Sequence, residues 1–211
     1  MREVLKIDRQ KPDESVIAEA SSILGAGGVV AYPTETFYGL GADGQIEEAI
    51  KKIFLIKGRN FKNPISVIIG DANDVRGLVE EIPEFALHLM QRFWPGALTI
   101  IFKASPDISP LLTAGTGKIG VRLSSHPVAT ALAKKLGHPV TATSANLSGK
   151  HECASADEVI QGIGDQIDAV IDGGRTPGGS GSTIIDVTTD PPVILREGII
   201  PKYKLTNSAF V

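Results

Sequence analysis

The sequence predicts an α/β layer fold, an open twisted mixed sheet flanked by helices, and three observations carry that reading. Short β-like runs alternate with stretches of helical period along the chain, the pattern of layered α/β architectures. The 211 residues are 42% hydrophobic, enough to bury a core. Strand-like segments crowd together near the C-terminal end ("DAVID", "STIIDV", "VILR"), so the sheet should be mixed rather than purely parallel.

In chain order, Pro12 and Asp13 open a helix that carries Ile17, Ala20, Ile23 and Leu24 on one face and stops at Gly25. A strand follows at Val29 to Tyr32 and should end at Pro33, because proline has no ladder donor. "IEEAIKKIFLIK" places Ile46, Ile50, Ile53 and Phe54 at helical spacing, and "PISVIIG" reads as a buried strand. "PEFALHLMQRFW" begins a helix at Pro83 that ends before Pro95 and Gly96, with Trp94 filling the core. "ALTIIF" and "KIGVRL" are strands, "PVATALAKKLG" is a helix between Pro127 and Gly137, and "PVTATSA" is a strand. A weaker helix covers about 157–163. No linker or repeat interrupts the pattern, so residues 1–211 read as one domain, with 199–211 a C-terminal arm that packs or frays.

The formal net charge of −3 provides no global basic field for nucleic acid, so any anion site must be built locally. The one cysteine, Cys153, excludes an internal disulfide framework and fits a reducing compartment. The N-terminus "MREVLKIDRQKPDE" has no apolar signal region, and runs such as "ALTIIF" are too short for a bilayer. A cytoplasmic protein with no membrane partner is expected. His88, His126, His138 and His151 lack zinc spacing, so no protein-held metal is expected.

Gly39, Gly41 and Gly44 spell G-x-G-x-x-G, but a polar stretch separates them from the preceding strand, which argues against a dinucleotide fingerprint. The pairs Gly117-Lys118 and Gly149-Lys150 lack the Ser or Thr of a phosphate-binding P-loop. Three other clusters, with the Thr34-Glu35-Thr36 loop after Pro33, have more chemical content. "KGRNFK" puts Lys57 and Arg59 two apart, on one side of an extended chain, where they form an anion clamp or a solvated basic loop. "TATSANLSG" displays Thr141, Thr143, Ser144, Asn146 and Ser148 at a strand end, as phosphate or nucleoside ligands or as an ordinary turn. "GGRTPGGSGSTIIDV" leads into Ser182 and Thr183 through glycines that permit a close ligand approach or simply a mobile loop.

These clusters together resemble the YrdC-like family of L-threonylcarbamoyladenylate synthases, from about Ile17 to Gly198. "YPTETFYGLG" matches P-T-[DE]-T-x-Y-G-L, and "KGR" with "PISVII" matches the K-x-R block and its strand. "FWPGALTII", "GVRLSSHP", "TATSANLSG" and "STIIDV" with "ILREG" follow in family order. The chain departs from the pattern at Asn60, Ala97, Ser124 and Glu197, where proline is common, and at Asn63, where a histidine is frequent. Longer members carry an additional C-terminal domain that this chain is too short to hold.

The resemblance implies a YrdC-like fold with a concave basic cavity and a reaction of L-threonine, bicarbonate and ATP, with magnesium held mainly by the ATP phosphates. The products are threonylcarbamoyl-AMP and pyrophosphate. A tRNA threonylcarbamoyl transferase complex would use the former to make N6-threonylcarbamoyladenosine at position 37 of tRNAs reading codons that begin with A. Carried over residue by residue, Lys57, Arg59, Ser144 and Asn146 form the catalytic and ATP-binding tetrad, joined at the phosphates by Ser182 and Arg196. Thr34, Tyr38, Asn63, Arg122 and Thr183 surround threonine, Arg122 through the carboxylate. The glycine-rich segment Gly173 to Gly181, or the arm after Gly198, is the expected lid. Two other readings stand beside this one. The first is a non-catalytic module that binds tRNA or double-stranded RNA in the same cavity, whose affinity would fall steeply with salt. The second is the related chemistry of hydrogenase maturation proteins, whose zinc-finger and acylphosphatase modules the chain lacks.

Overall fold

A computed structural model describes residues 3–206, excluding the side chain of Thr206. Its strands sort into two mixed sheets. The first contains β1 (Glu3–Lys6), β2 (Val30–Pro33), β3 (Tyr38–Gly41), β8 (Thr143–Ser144) and β9 (Ala169–Asp172), in the order β1-β9-β2-β3-β8. The second contains β4 (Val67–Ile68), β5 (Leu98–Lys103), β6 (Lys118–Arg122), β7 (Val140–Thr141), β10 (Thr183–Asp186) and β11 (Val193–Arg196), in the order β11-β10-β5-β6-β4-β7. Parallel and antiparallel pairs occur in both. The expected mixed sheet is therefore present but divided in two.

The division falls within the run read as one strand, "PVTATSA". Val140 and Thr141 pair with β4, whereas Thr143 and Ser144 pair with β3. Thr141 stitches the two together: its hydroxyl accepts from Ala42 N–H (2.9 Å) and donates to the Leu40 carbonyl (3.0 Å). Hydrophobic pattern reports burial and not strand partners, so it could not reveal a change of sheet.

The helices follow their sequence signals closely. α1 (Glu14–Gly25) begins at Asp13, whose carboxylate accepts from Ser15 N–H at 2.8 Å. α2 spans Glu47–Lys57, α3 Glu84–Phe93, α5 Pro127–Leu136 and α6 Ala156–Ile163. Proline starts α5, and Gly137 ends it in the left-handed region at φ 75°. The short α4 (Pro110–Thr113) and α7 (Lys202–Thr206), with β1, carry too few residues to show a period. α7 lies within the expected arm; residues 207–211 of that arm lie outside the described residues. Two apolar clusters form the interior. One joins α2, α3 and α6 to inner sheet residues such as Val67, Ile100 and Val121; the other lies under α1 and α5 and includes Tyr32 and Ile68.

The stretch after Pro33 is a hairpin rather than an open loop, with β2 pairing to β3 in the register Tyr32↔Gly39 and Pro33↔Tyr38. This register explains the glycine pattern. A Cβ on Gly39 would lie 2.9 Å from the Tyr32 ring, one on Gly41 2.8 Å from the same ring, and one on Gly44 2.8 Å from the Pro139 carbonyl. These glycines make room for protein, not for a dinucleotide. No described helix is long and apolar enough to cross a membrane.

Candidate active site

Between the two sheets lies a cavity of about 590 Å³. Five cationic residues line it (Lys57, Arg59, Arg122, Lys150 and Arg196) against one carboxylate, Glu152. A chain of net charge −3 thus concentrates positive charge in one concavity, where low-dielectric walls focus the field.

Lys57 is the last residue of α2 and is 5% exposed. Gly58 then adopts a left-handed conformation at φ 57°, which turns the chain and sends Arg59 back toward the cavity. The two cations converge through a helix-ending turn rather than through the extended geometry their spacing suggested. The Lys57 ammonium donates to the carbonyls of Ser144 (2.6 Å) and Asn146 (2.8 Å) and to Asn146 Oδ1 (3.3 Å). Asn146 Nδ2 in turn donates to the Lys150 carbonyl at 2.6 Å. Lys57 therefore organises the loop after β8 while lining the cavity. Burial, reinforced by the Arg59 charge, pushes its pKa down to about 8. Arg59 reaches Thr143 Oγ1 (3.4 Å) and the Pro64 carbonyl (2.8 Å), and burial lowers its pKa also.

On the opposite wall, Arg196 donates through Nε and Nη2 to the Ser182 carbonyl (3.0 and 2.8 Å) and through Nη2 to Ser182 Oγ (3.0 Å). Ser182 Oγ also pairs with Thr99 Oγ1 at 3.0 Å. Arg122, 6% exposed, projects from the end of β6 and donates through Nε to the Gly96 carbonyl at 3.2 Å. Thr34 lines the cavity with its hydroxyl already tied to Thr36 Oγ1 (2.9 Å) and the Phe37 carbonyl (2.7 Å). The Tyr38 hydroxyl donates to the Gly174 carbonyl at 2.7 Å, and burial pushes its pKa up.

The structure thus brings Lys57, Arg59, Ser144, Asn146, Ser182, Arg196, Thr34, Tyr38, Asn63 and Arg122 to one cavity. Thr183 is the correction. It is fully buried, and its hydroxyl donates to the Ile200 carbonyl (2.7 Å) while accepting from the N–H groups of Gly198 (2.9 Å) and Ile200 (3.2 Å). Strand alternation turns Thr183 away from its cavity-facing neighbours Ser182 and Ile184 and makes it an anchor for the arm. Both segments expected as lids are anchored within the described residues. The glycine-rich one is held by Gly178 N–H to the Thr36 carbonyl (2.9 Å) and Thr176 N–H to the Ala154 carbonyl (2.8 Å), and the arm by Thr183.

The sequence reading missed Tyr32, Ser66, Lys150 and Glu152 on the cavity wall; Glu35, singled out within the Thr-Glu-Thr loop, stands behind that wall against Arg122.

Known proteins share this fold. Residues 22–198 match the Sua5_yciO_yrdC family, described as "Telomere recombination". The chain is 43% identical over 199 residues to the threonylcarbamoyl-AMP synthase of Bacillus subtilis, covering 94% of this chain and 58% of that protein. It resembles the crystal structure of P. abyssi Sua5 complexed with L-threonine, with a TM-score of 0.95 and 38% identity, covering 98% of this chain and 61% of that one. It also resembles E. coli YciO, with a TM-score of 0.87 and 30% identity over 94% of this chain and 97% of that one. The chain spans about three fifths of the synthase and of Sua5, and nearly all of YciO. A match along residues 22–198, on a fold shared with solved proteins of both lengths, shows that the chain belongs to the Sua5/YciO/YrdC family.

Proposed function

We propose that the chain is an L-threonylcarbamoyladenylate synthase, a nucleotidyltransferase acting on L-threonine, bicarbonate and ATP. The observation that carries this reading is the single cavity shared by Lys57, Arg59, Ser144 and Asn146, the Ser182–Arg196 pair, and Arg122 with Thr34. The threonine amine attacks the bicarbonate carbon and water leaves, giving a carbamate. A carbamate oxygen then attacks the α-phosphorus of ATP, and the bond to pyrophosphate breaks.

All three substrates carry carboxylate, carbonate or phosphate groups, so the protein acts mainly by positioning and charge neutralisation. Lys57 and Arg59 would hold phosphate oxygens beside the Ser144 and Asn146 loop, Arg196 and Ser182 would hold phosphate from the facing wall, and Arg122 would take the threonine carboxylate. Magnesium enters with ATP as part of that substrate. Glu152 is the one carboxylate on the wall, and among the described residues no group of three or more His, Cys, Asp or Glu could hold a metal. That donor set fits an ion carried by phosphates, with Glu152 as a protein oxygen available to it, and the ion would neutralise charge on the departing pyrophosphate. The product would pass, in the cytoplasm, to a transferase complex acting on adenosine 37 of tRNAs that read codons beginning with A.

Pyrophosphate release by the purified protein, with each substrate omitted in turn, tests the reading. Release that requires threonine and bicarbonate together is the expected result, and ATP hydrolysis indifferent to both would overturn it.

The lowered pKa of Lys57 gives a pH prediction. Its ammonium is charged below about 8 and loses its proton as pH rises through that value, so kcat/KM for ATP should fall above about pH 8. Stability moves the opposite way. The unfolded lysine keeps its proton up to its ordinary value, so between about 8 and 10.5 the unfolded chain binds more protons and this group's contribution to stability rises with pH. A pH profile of wild type against Lys57→Arg checks the assignment, because arginine keeps its charge and should remove the falling limb.

A further inference from the structure

We propose that Glu35 is a positioning residue that holds the Arg122 guanidinium so that its open edge faces the carboxylate of an amino-acid substrate. This inference rests on the reading of Arg122 as the carboxylate grip. Glu35 lies between two cavity-lining threonines but does not line the cavity itself. Its Oε1 is 2.7 Å from Arg122 Nη2, and the two side chains are 16% and 7% exposed. Nη2 is buried, and its N–H groups make no aligned hydrogen bond, so the contact is an ion pair. Nε is on the Gly96 carbonyl and Nη2 is ion-paired with Glu35, which leaves Nη1 without a hydrogen bond or ion pair among the described residues. A planar guanidinium fixed at two of its nitrogens presents the third in a defined direction.

The brace is itself braced. Glu35 Oε2 accepts from Ser124 Oγ, and Oε1 accepts from Ser125 N–H at 3.3 Å. Ser124 Oγ accepts from His126 N–H (3.1 Å), and the Ser124 carbonyl accepts from Thr130 Oγ1 (2.7 Å), tying the assembly to the start of α5. Burial alone would raise the Glu35 pKa, but the Arg122 charge and the donors around the carboxyl outweigh it and the group is held ionised. Ser124 stands where the resemblance led us to expect proline, and here its hydroxyl completes the Glu35 site. Two hydrogen-bond donors and the Arg122 guanidinium converge on the carboxylate. A glutamine would offer them one oxygen and turn its own N–H groups toward a donor.

The test is calorimetric titration of wild type, Glu35→Gln and Glu35→Asp with L-threonine, with L-threoninol, which lacks the carboxylate, and with ATP. Glu35→Gln should weaken threonine binding at least tenfold and leave ATP and threoninol binding within twofold of wild type. Glu35→Asp should recover part of the loss. Threonine binding to Glu35→Gln within twofold of wild type, or an equal loss for threoninol or ATP, would overturn the inference alone. Wild-type protein that binds ATP but no amino acid would overturn the functional reading and this inference with it.

Discussion

Lys57→Met is expected to lower kcat/KM for ATP by about 10²–10³-fold, the loss that follows removal of one preorganised charge donor in an active site. The prediction follows from where the ammonium sits. It is buried at the end of α2, lines the cavity, and holds the carbonyls of Ser144 and Asn146 at 2.6 and 2.8 Å. Methionine retains the apolar stem and the helix end, so the variant separates loss of charge from loss of packing. Three acceptors, the carbonyls of Ser144 and Asn146 and Asn146 Oδ1, are left without their donor, costing about 1–3 kcal/mol of local stability, while the cost of burying a cation disappears. The global unfolding midpoint should therefore move far less than the rate. Steady-state pyrophosphate release and a denaturant titration on the same preparation decide it. A rate within tenfold of wild type would remove Lys57 from the chemistry.

Gly198→Ala should destabilise the fold by about 3 kcal/mol, at the upper end of the cost of overpacking. A Cβ there would collide with the Gly181 carbonyl and lie 2.6 Å from the Ser182 carbonyl carbon, and both obstacles are backbone. The strain cannot be relieved by a rotamer change. Either the arm leaves Thr183, where Gly198 N–H and Ile200 N–H now end, or Gly181 and Ser182 shift away from Arg196. For a chain of this size the thermal midpoint should fall by about 6–12 °C. Hydrogen exchange locates the damage: the Ile199 and Ile200 amides, now bonded to the Gly181 carbonyl and the Thr183 hydroxyl, should lose protection first. An unchanged midpoint with full protection would show that the arm tolerates the displacement.

These two positions differ in how visible they were beforehand. Lys57 could be read from its spacing to Arg59 and from the block around it. Gly198 closes the "ILREG" block, but the reason for a glycine there could not be read locally, because the close approach that requires it involves Gly181 and Ser182 on another segment. The same contrast runs through the molecule. Asp13, Pro127 and Gly137 mark helix ends by chemistry that acts within a few residues, and the structure has those ends where the sequence placed them. Gly39 and Gly41 matched a nucleotide-binding fingerprint, yet their neighbour is the Tyr32 ring across a hairpin. Glu35 was marked out with the polar loop after Pro33 and proved to stand behind Arg122.

The sequence by itself determined the α/β class, the boundaries of the five longer helices, the order of the blocks and the set of cations and small polar residues available for chemistry. Those properties follow from period, capping and side-chain type, which are local. Only the tertiary structure decided that the run from Val140 to Ser144 is shared between two sheets and that the cavity lies between them. It also decided that Thr183 serves the arm and that Arg122 has a carboxylate partner. Each of these depends on pairing between segments far apart in the chain, and periodicity reports that a face is buried without naming what buries it.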